Sequence, residues 1–294
     1  MDRTMQTLIR KASLLILLLA LGGCHAVRVG YNNAQELSYY WLNSYVQFTA
    51  EQKPVIKAEL AALHDWHRFN EIPTYIKILQ TAQKKVLQDT SNKEVCSMVE
   101  DVRERLRIFN LQTEPIIEKL APTLSHEQLE HMQRHFDRNN EKWRKDWLEG
   151  SQKERDQHRL KLAIKRAEMF YGSLTPGQRN ILEENLRIST FNPDTSYTER
   201  LRRQADAIAT LKKIIDLKLS APDIKLEIAA YFDRLQNGDD LAYQNYVDRL
   251  TVDSCDGFVR LHNSTSPKQR QRAADKLGGY IKDLEALKSS AQIE

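Results

Sequence analysis

Glycine is scarce in this chain, ten among 294 residues, and nowhere does it gather into a loop that could cradle a phosphate. Gly-x-Ser-x-Gly, His-Glu-x-x-His and Cys-x-x-Cys are all missing, which removes the signatures of serine hydrolases, zinc proteases and thioredoxin-like redox sites. Stretches alternating β-branched with polar residues are also missing, so nothing reads as a strand. No titratable pair is set by spacing alone for acid–base work. The chain is expected to carry no catalytic residue.

What is present is helix-forming. Leu, Ala, Glu, Lys, Arg and Gln dominate, and 29% of residues are charged, which points to an all-α fold, a multi-helix bundle. The formal charge is only +4. A balance this even gives no reason to expect a nucleic-acid partner.

The first 24 residues read in three parts: a positive head (Arg3, Arg10, Lys11), an uncharged apolar run over 13–21, and Leu21-Gly22-Gly23-Cys24. The run is too short to remain as a membrane span, and the layout is that of a secretory signal. It resembles the bacterial lipobox. That resemblance implies recognition of Leu21, Gly22 and Gly23 by the signal peptidase, cleavage before Cys24, and a covalent diacylglycerol and N-acyl chain on that cysteine. Two or three acyl chains hold firmly where one does not, since each buried methylene contributes about 0.8 kcal/mol. His25 stands where an aspartate usually marks inner-membrane retention, so the expected address is the outer membrane, facing the periplasm. Residues 1–23 are then the signal and 24–294 one helical periplasmic domain. Removing Asp2, Arg3, Arg10 and Lys11 takes two from the charge of +4 and leaves +2.

Cys96 and Cys255 remain after the anchor. In an oxidising compartment an even remainder invites one disulfide, clamping an early helix to a late one; the alternative is two buried thiols.

Helix starts are legible. A hydroxyl residue followed three positions later by Gln or Glu is the capping-box signature, and it occurs at Thr49/Gln52, Ser91/Glu94, Ser125/Gln128, Thr175/Gln178 and Ser266/Gln269. The predicted helices cover 33–47, 50–70, 73–88, 92–121 with a break near Pro115, 126–171, 176–190, 197–219, 221–236, 240–262 and a last one from 267. Pro73 breaks one helix or restarts the next, and Asn237-Gly238 reads as a cap and turn. The stretch 126–171 stands out as one long charged helix with a kink at Gly150-Ser151. It either protrudes as half of a helical hairpin, with a partner starting near Thr198, or lies as a solvated face along the bundle.

Phe48–Gln52, Leu124–Gln128 and Leu174–Gln178 share an apolar residue, a hydroxyl and a glutamine at fixed spacing. The pattern resembles the LTxxQ motif of small helical periplasmic chaperones, which implies a tethered, chaperone-like binder; an apolar staple plus a capping box produces the same pattern. A second resemblance spans nearly the whole mature chain. Gly30-Tyr31-Asn32, Tyr40-Trp41-Leu42, Tyr45, Phe48-Thr49, Gln52, Trp66-His67-Arg68, Pro73, Tyr75, Cys96, Cys255 and Ser266–Arg270 resemble a proteobacterial lipoprotein family described only as a domain of unknown function. It implies an outer-membrane-type helical lipoprotein and supplies no catalytic residue.

Two histidine sets have metal-ligand spacing. His64 and His67, with Glu71 beyond, share a face if the helix runs that far, and Glu127, His131 and His135 repeat at four-residue steps. Each set also has an ordinary reading, as helix-end histidines or a polar stripe, and no metal is expected. Leu37, Tyr40, Trp41, Tyr45 and Phe48 fall on one side of a helix. The lack of Lys and Arg over 31–50 favours core packing over a helix lying on a bilayer. Arg134, Arg138, Lys142, Arg144 and Lys145 are interrupted by acids and read as a mixed solvated face. The expected role is a lipid-anchored envelope protein with no cofactor beyond its own acyl chains, holding the membrane through the anchor and binding an envelope protein partner.

Overall fold

Capping boxes set where the helices begin. Ser91, Ser125 and Thr175 each accept a hydrogen bond from the backbone N–H three residues on, while Glu94, Gln128 and Gln178 reach back to the cap. The computed structural model describes residues 26–236, 238 and 240–290. The expected signal, Leu21, Gly22, Gly23, Cys24 and Asn237 lie outside the described residues.

The described chain is all-α, a multi-helix bundle. In order it forms α1 (Ala26–Asn32), α2 (Ala34–Val46), α3 (Gln52–Trp66), a π-helical turn (His67–Glu71), α4 (Ile72–Lys85), α5 (Asn92–Leu120), a 3-10 turn (Ala121–Thr123), α6 (His126–Trp147), α7 (Gln152–Tyr171), α8 (Pro176–Ile188), α9 (Pro193–Asp216), α10 (Ala221–Gln236), α11 (Leu241–Asn263) and α12 (Pro267–Ser290). Among the described residues no helix is long and apolar enough to cross a membrane.

Two expectations are corrected. The stretch 126–171 is not one helix. Gly150 takes φ +82 and Ser151 opens a new capping box with Glu154, so α6 and α7 part company. Helix α6 runs antiparallel to α9: Trp143 stacks on Tyr197, Asn140 donates to Gln204, and His126 reaches Asp216 at the other end. Helix α7 packs instead on α8 and α12. Pro115 does not break α5, which continues through it. The proline ring is on the exposed side while Ile116 and Leu120 are buried, so the apolar face keeps its packing. Of the two readings of Pro73 the restart holds, since it lies in the first turn of α4. The Ile72 N–H bonds the His67 carbonyl, five residues back, and this widened turn carries the helix direction past a residue that cannot donate.

A four-helix unit occurs twice. In the first, α3 packs on α2 and α5, and α2 on α6; in the second, α8 packs on α7 and α11, and α7 on α12. The two units are fastened alike at their capping boxes. Gln52 and Gln128 exchange side-chain hydrogen bonds (3.3 and 2.8 Å), and Gln178 and Gln269 do the same (2.9 Å each way). The spare amide protons go to matching carbonyls: Gln52 to Thr123 and Gln128 to Gln47 in one unit, Gln178 to Ser264 and Gln269 to Ser173 in the other. Buried residues at matching distances from the boxes also agree, Ile56 with Leu182 and Leu120 with Leu261. Helix α4 is the insert of the first unit, and α9 and α10 that of the second. The core follows this plan. Tyr39, Ile56, Leu60, Ile116 and Leu120 fill the first unit; Tyr171, Leu174, Leu182, Leu261 and Ala273 fill the second. Ile72 and Ile76 of α4 lock onto Ile281 and Leu287 of α12.

Candidate functional site

Cys96 on α5 and Cys255 on α11 come to disulfide distance, their Cα atoms 5.7 Å apart. This pair ties the first unit to the second.

The π-helical turn gathers Tyr31, Asn32, His67, Arg68 and Tyr75, five of the residues that carried the family resemblance. The hydroxyl of Tyr31 meets His67 Nδ1 at 3.0 Å, and the Arg68 guanidinium donates to Asn32 Oδ1 at 2.9 Å while lying over the Tyr31 ring. His64 is engaged at both nitrogens. A carbonyl oxygen only accepts, so Nε2 carries the proton and donates to Tyr31 O (3.1 Å), leaving Nδ1 to accept from Gln35 (3.1 Å). Burial holds the His64 and His67 imidazoles below the ordinary histidine range, with the neighbouring His64 lowering His67 further. Burial also pushes the Tyr31 phenol up to about 12, so it stays protonated. His67 is walled by Tyr75 and Phe109. Glu71, only 3% exposed, lies 3.6 Å from Arg105, and its Oε2 has no hydrogen-bond partner. The cluster is a clamp. It fixes α1 and the start of α2 to the body.

The second histidine set lies elsewhere. His131 donates to Ser44 O at 3.0 Å, and the His135 ring lies 3.9 Å from that of Tyr45. Gln35 and Ser44 are nine residues apart on α2, roughly 14 Å at helical rise, so the two sets do not share an ion. Among the described residues no group of three or more His, Cys, Asp or Glu could hold a metal.

The α2 aromatics divide between core and surface. Tyr39 and Val46 are buried and Tyr45 and Phe48 pack against the core, but Leu37, Tyr40 and Trp41 are 58%, 65% and 60% exposed. The expected core packing therefore fails for these three. One helical stripe feeds the core, and the neighbouring stripe, equally apolar, is left bare. The basic residues of α6 behave as read: Arg134, Arg144 and Lys145 pair with Glu130, Glu141 and Glu149 on an exposed face.

Sequence reasoning missed two cavities. One, of about 830 Å³, lies inside the second unit between α7, α8, α11 and α12, with α4 and α5 closing it. Its wall is mostly aliphatic, and Lys85, Arg103 and Arg166 are among its polar lining residues. The other, of about 480 Å³, occupies the matching place in the first unit. His262 closes one side of the larger cavity. Its Nε2 donates to Gln88 O at 2.7 Å and its Nδ1 accepts from Tyr171, whose phenol burial raises to about 12.

No curated protein and no solved structure matches the chain. A family model does match, over residues 44–216, from the last turn of α2 through the end of α9. The match takes in α3 to α6 of the first unit, the hairpin that opens the second and α9, and the chain belongs to a family of unknown function (DUF6279).

Proposed function

We propose that the chain is a lipid-anchored cell-envelope protein, cut before Cys24 and held by acyl chains on that residue to the outer membrane, facing the periplasm. Its role there is to bind another envelope protein, without catalysis. The observation that carries this reading is Leu21-Gly22-Gly23-Cys24 behind an uncharged apolar run and a basic head.

Two features support it. The Cys96–Cys255 pair suits an oxidising compartment such as the periplasm. The bare face of Leu37, Tyr40 and Trp41 starts 13 residues beyond the anchor cysteine. Tyr and Trp sit well at headgroup depth, where the ring is buried and the polar edge is wet. The clamp of Tyr31, His64, His67 and Arg68 then orients the body over the bilayer.

The test is metabolic labelling with radiolabelled palmitate, with Cys24→Ser as control. Label should appear on wild type and vanish from the variant, and in-cell crosslinking should capture a partner only for the anchored form. Absence of label, or a mature N-terminus other than Cys24, overturns the reading.

A further inference from the structure

We propose that the cavity of the second unit is a binding site for a long-chain fatty acid, the acyl chain lying among the aliphatic walls and the carboxylate meeting Arg166. This goes beyond the tethering reading and does not depend on it.

The shape of the cavity is written into the difference between the two units. Where the first unit has the buried Met132, the second has Ala273 at the corresponding distance from its capping box, and both side chains line their cavities. The volume is accordingly about 830 Å³ against about 480 Å³. A volume in the range of about 300–1,000 Å³ is what a small-molecule site requires.

The wall selects a chain over a polar ring system. Ile78, Val86, Val95, Val99 and Leu186 line it, and its polar members other than Arg166 are already engaged. Asp253 accepts from the Thr190 backbone, Asn185 donates to Gly257 O, and His262 is used at both nitrogens. Among the described residues, Arg68 Nε and Glu71 Oε2 are buried without a hydrogen-bond partner, and neither residue lines the cavity. A ligand bearing donors and acceptors along its length would find nothing to pair with, and would lose its own hydration.

Charge selects the headgroup. Three cations line the cavity. Lys85 is paired with Glu94 at 3.3 Å and Arg103 with Glu100. Arg166 is exposed and makes no ion pair among the described residues. A guanidinium binds a carboxylate through two parallel hydrogen bonds.

The test uses the full chain with Cys24→Ser, which carries no acyl chains of its own, titrated with cis-parinarate, a fluorescent fatty acid. Saturable one-to-one binding is expected, displaced by palmitate. Arg166→Glu should weaken cis-parinarate at least fivefold while leaving its methyl ester unchanged, and Ala167→Trp should weaken both more than tenfold. Arg166 is on the surface, so its variant keeps the test open if the tryptophan variant misfolds. Lack of saturable binding overturns the proposal. So does equal loss of acid and ester in Arg166→Glu, or displacement by a lysophospholipid or a helical peptide but not by palmitate. Binding that persists in a protein that fails palmitate labelling leaves the site standing and the tether refuted.

Discussion

His64, His67 and His262 share one condition: each is held neutral by burial, below its ordinary value of 6.5. In the unfolded chain the same imidazoles take up protons as pH drops past about 6.5. The unfolded state then binds more protons than the folded one, so stability is full above that value and declines as pH falls from it toward the lowered folded values. Carboxylates held low by their capping partners, Glu94 and Glu154, begin to matter only below about 4.5, outside this window. Melting temperature followed by circular dichroism should therefore be flat from pH 8 to 7 and fall between pH 6.5 and 5. His262→Gln should start lower, having lost the bond to Gln88 O, and fall less steeply. An unchanged slope in that variant would mean that His262 takes its proton in the folded state as easily as in the unfolded chain.

Helix starts were legible in the sequence because a capping box is local: the hydroxyl, the spacing and the glutamine are all within four residues. Their pairing was not, since nothing local says that Gln52 faces Gln128 or that Gln178 faces Gln269. The break at Gly150 was readable as a kink, and Ser151-x-x-Glu154 behind it is a sixth box of the same kind; treating it as one would have split 126–171 correctly. The π-helical turn left no such trace, because nothing local to Pro73 says that the chain passes it on a widened turn. Helix periodicity likewise could not tell which stripe of α2 meets the core. The paired boxes make a prediction for the elements they start. Gln128→Ala orphans the Ser125 N–H and the Gln47 carbonyl and leaves the Gln52 amide with only its Thr49 and Thr123 partners. With buried orphans costing about 1–3 kcal/mol each and partial relief from water, a loss of about 2–3 kcal/mol is expected in urea melts. Gln52→Ala combined with Gln128→Ala should fall short of additivity by about 0.5 kcal/mol or more, because each removes the other's partner. Gln52→Ala with Gln178→Ala should be additive, since the boxes belong to different units. Equal coupling in both pairs would show that the two units are not fastened independently.

At the scale of the molecule, two similar units must be kept together, and Cys96–Cys255 is the covalent tie between them. It joins α5, on which both α3 and α11 pack, to α11 itself. The bridge spans 159 residues of chain, so it removes a large share of the unfolded state's freedom, worth about 5 kcal/mol in the chain-entropy model. A staple chosen only for local packing would close a short loop and contribute far less. Cys96→Ser, Cys255→Ser and the double variant should therefore be destabilised alike, each losing several kcal/mol in urea, and reductant should bring wild type down to meet them. Val95 and Ser254, the immediate neighbours of the two cysteines, line the large cavity, so opening the bridge frees one wall of that cavity from another. The variants should then expose the cavity to solvent before the first unit unfolds, seen as an early rise in binding of an apolar fluorescent dye. A loss under about 1 kcal/mol, with no early dye binding, would mean that packing between α5 and α11 holds the units together unaided and that the bridge is incidental to the architecture.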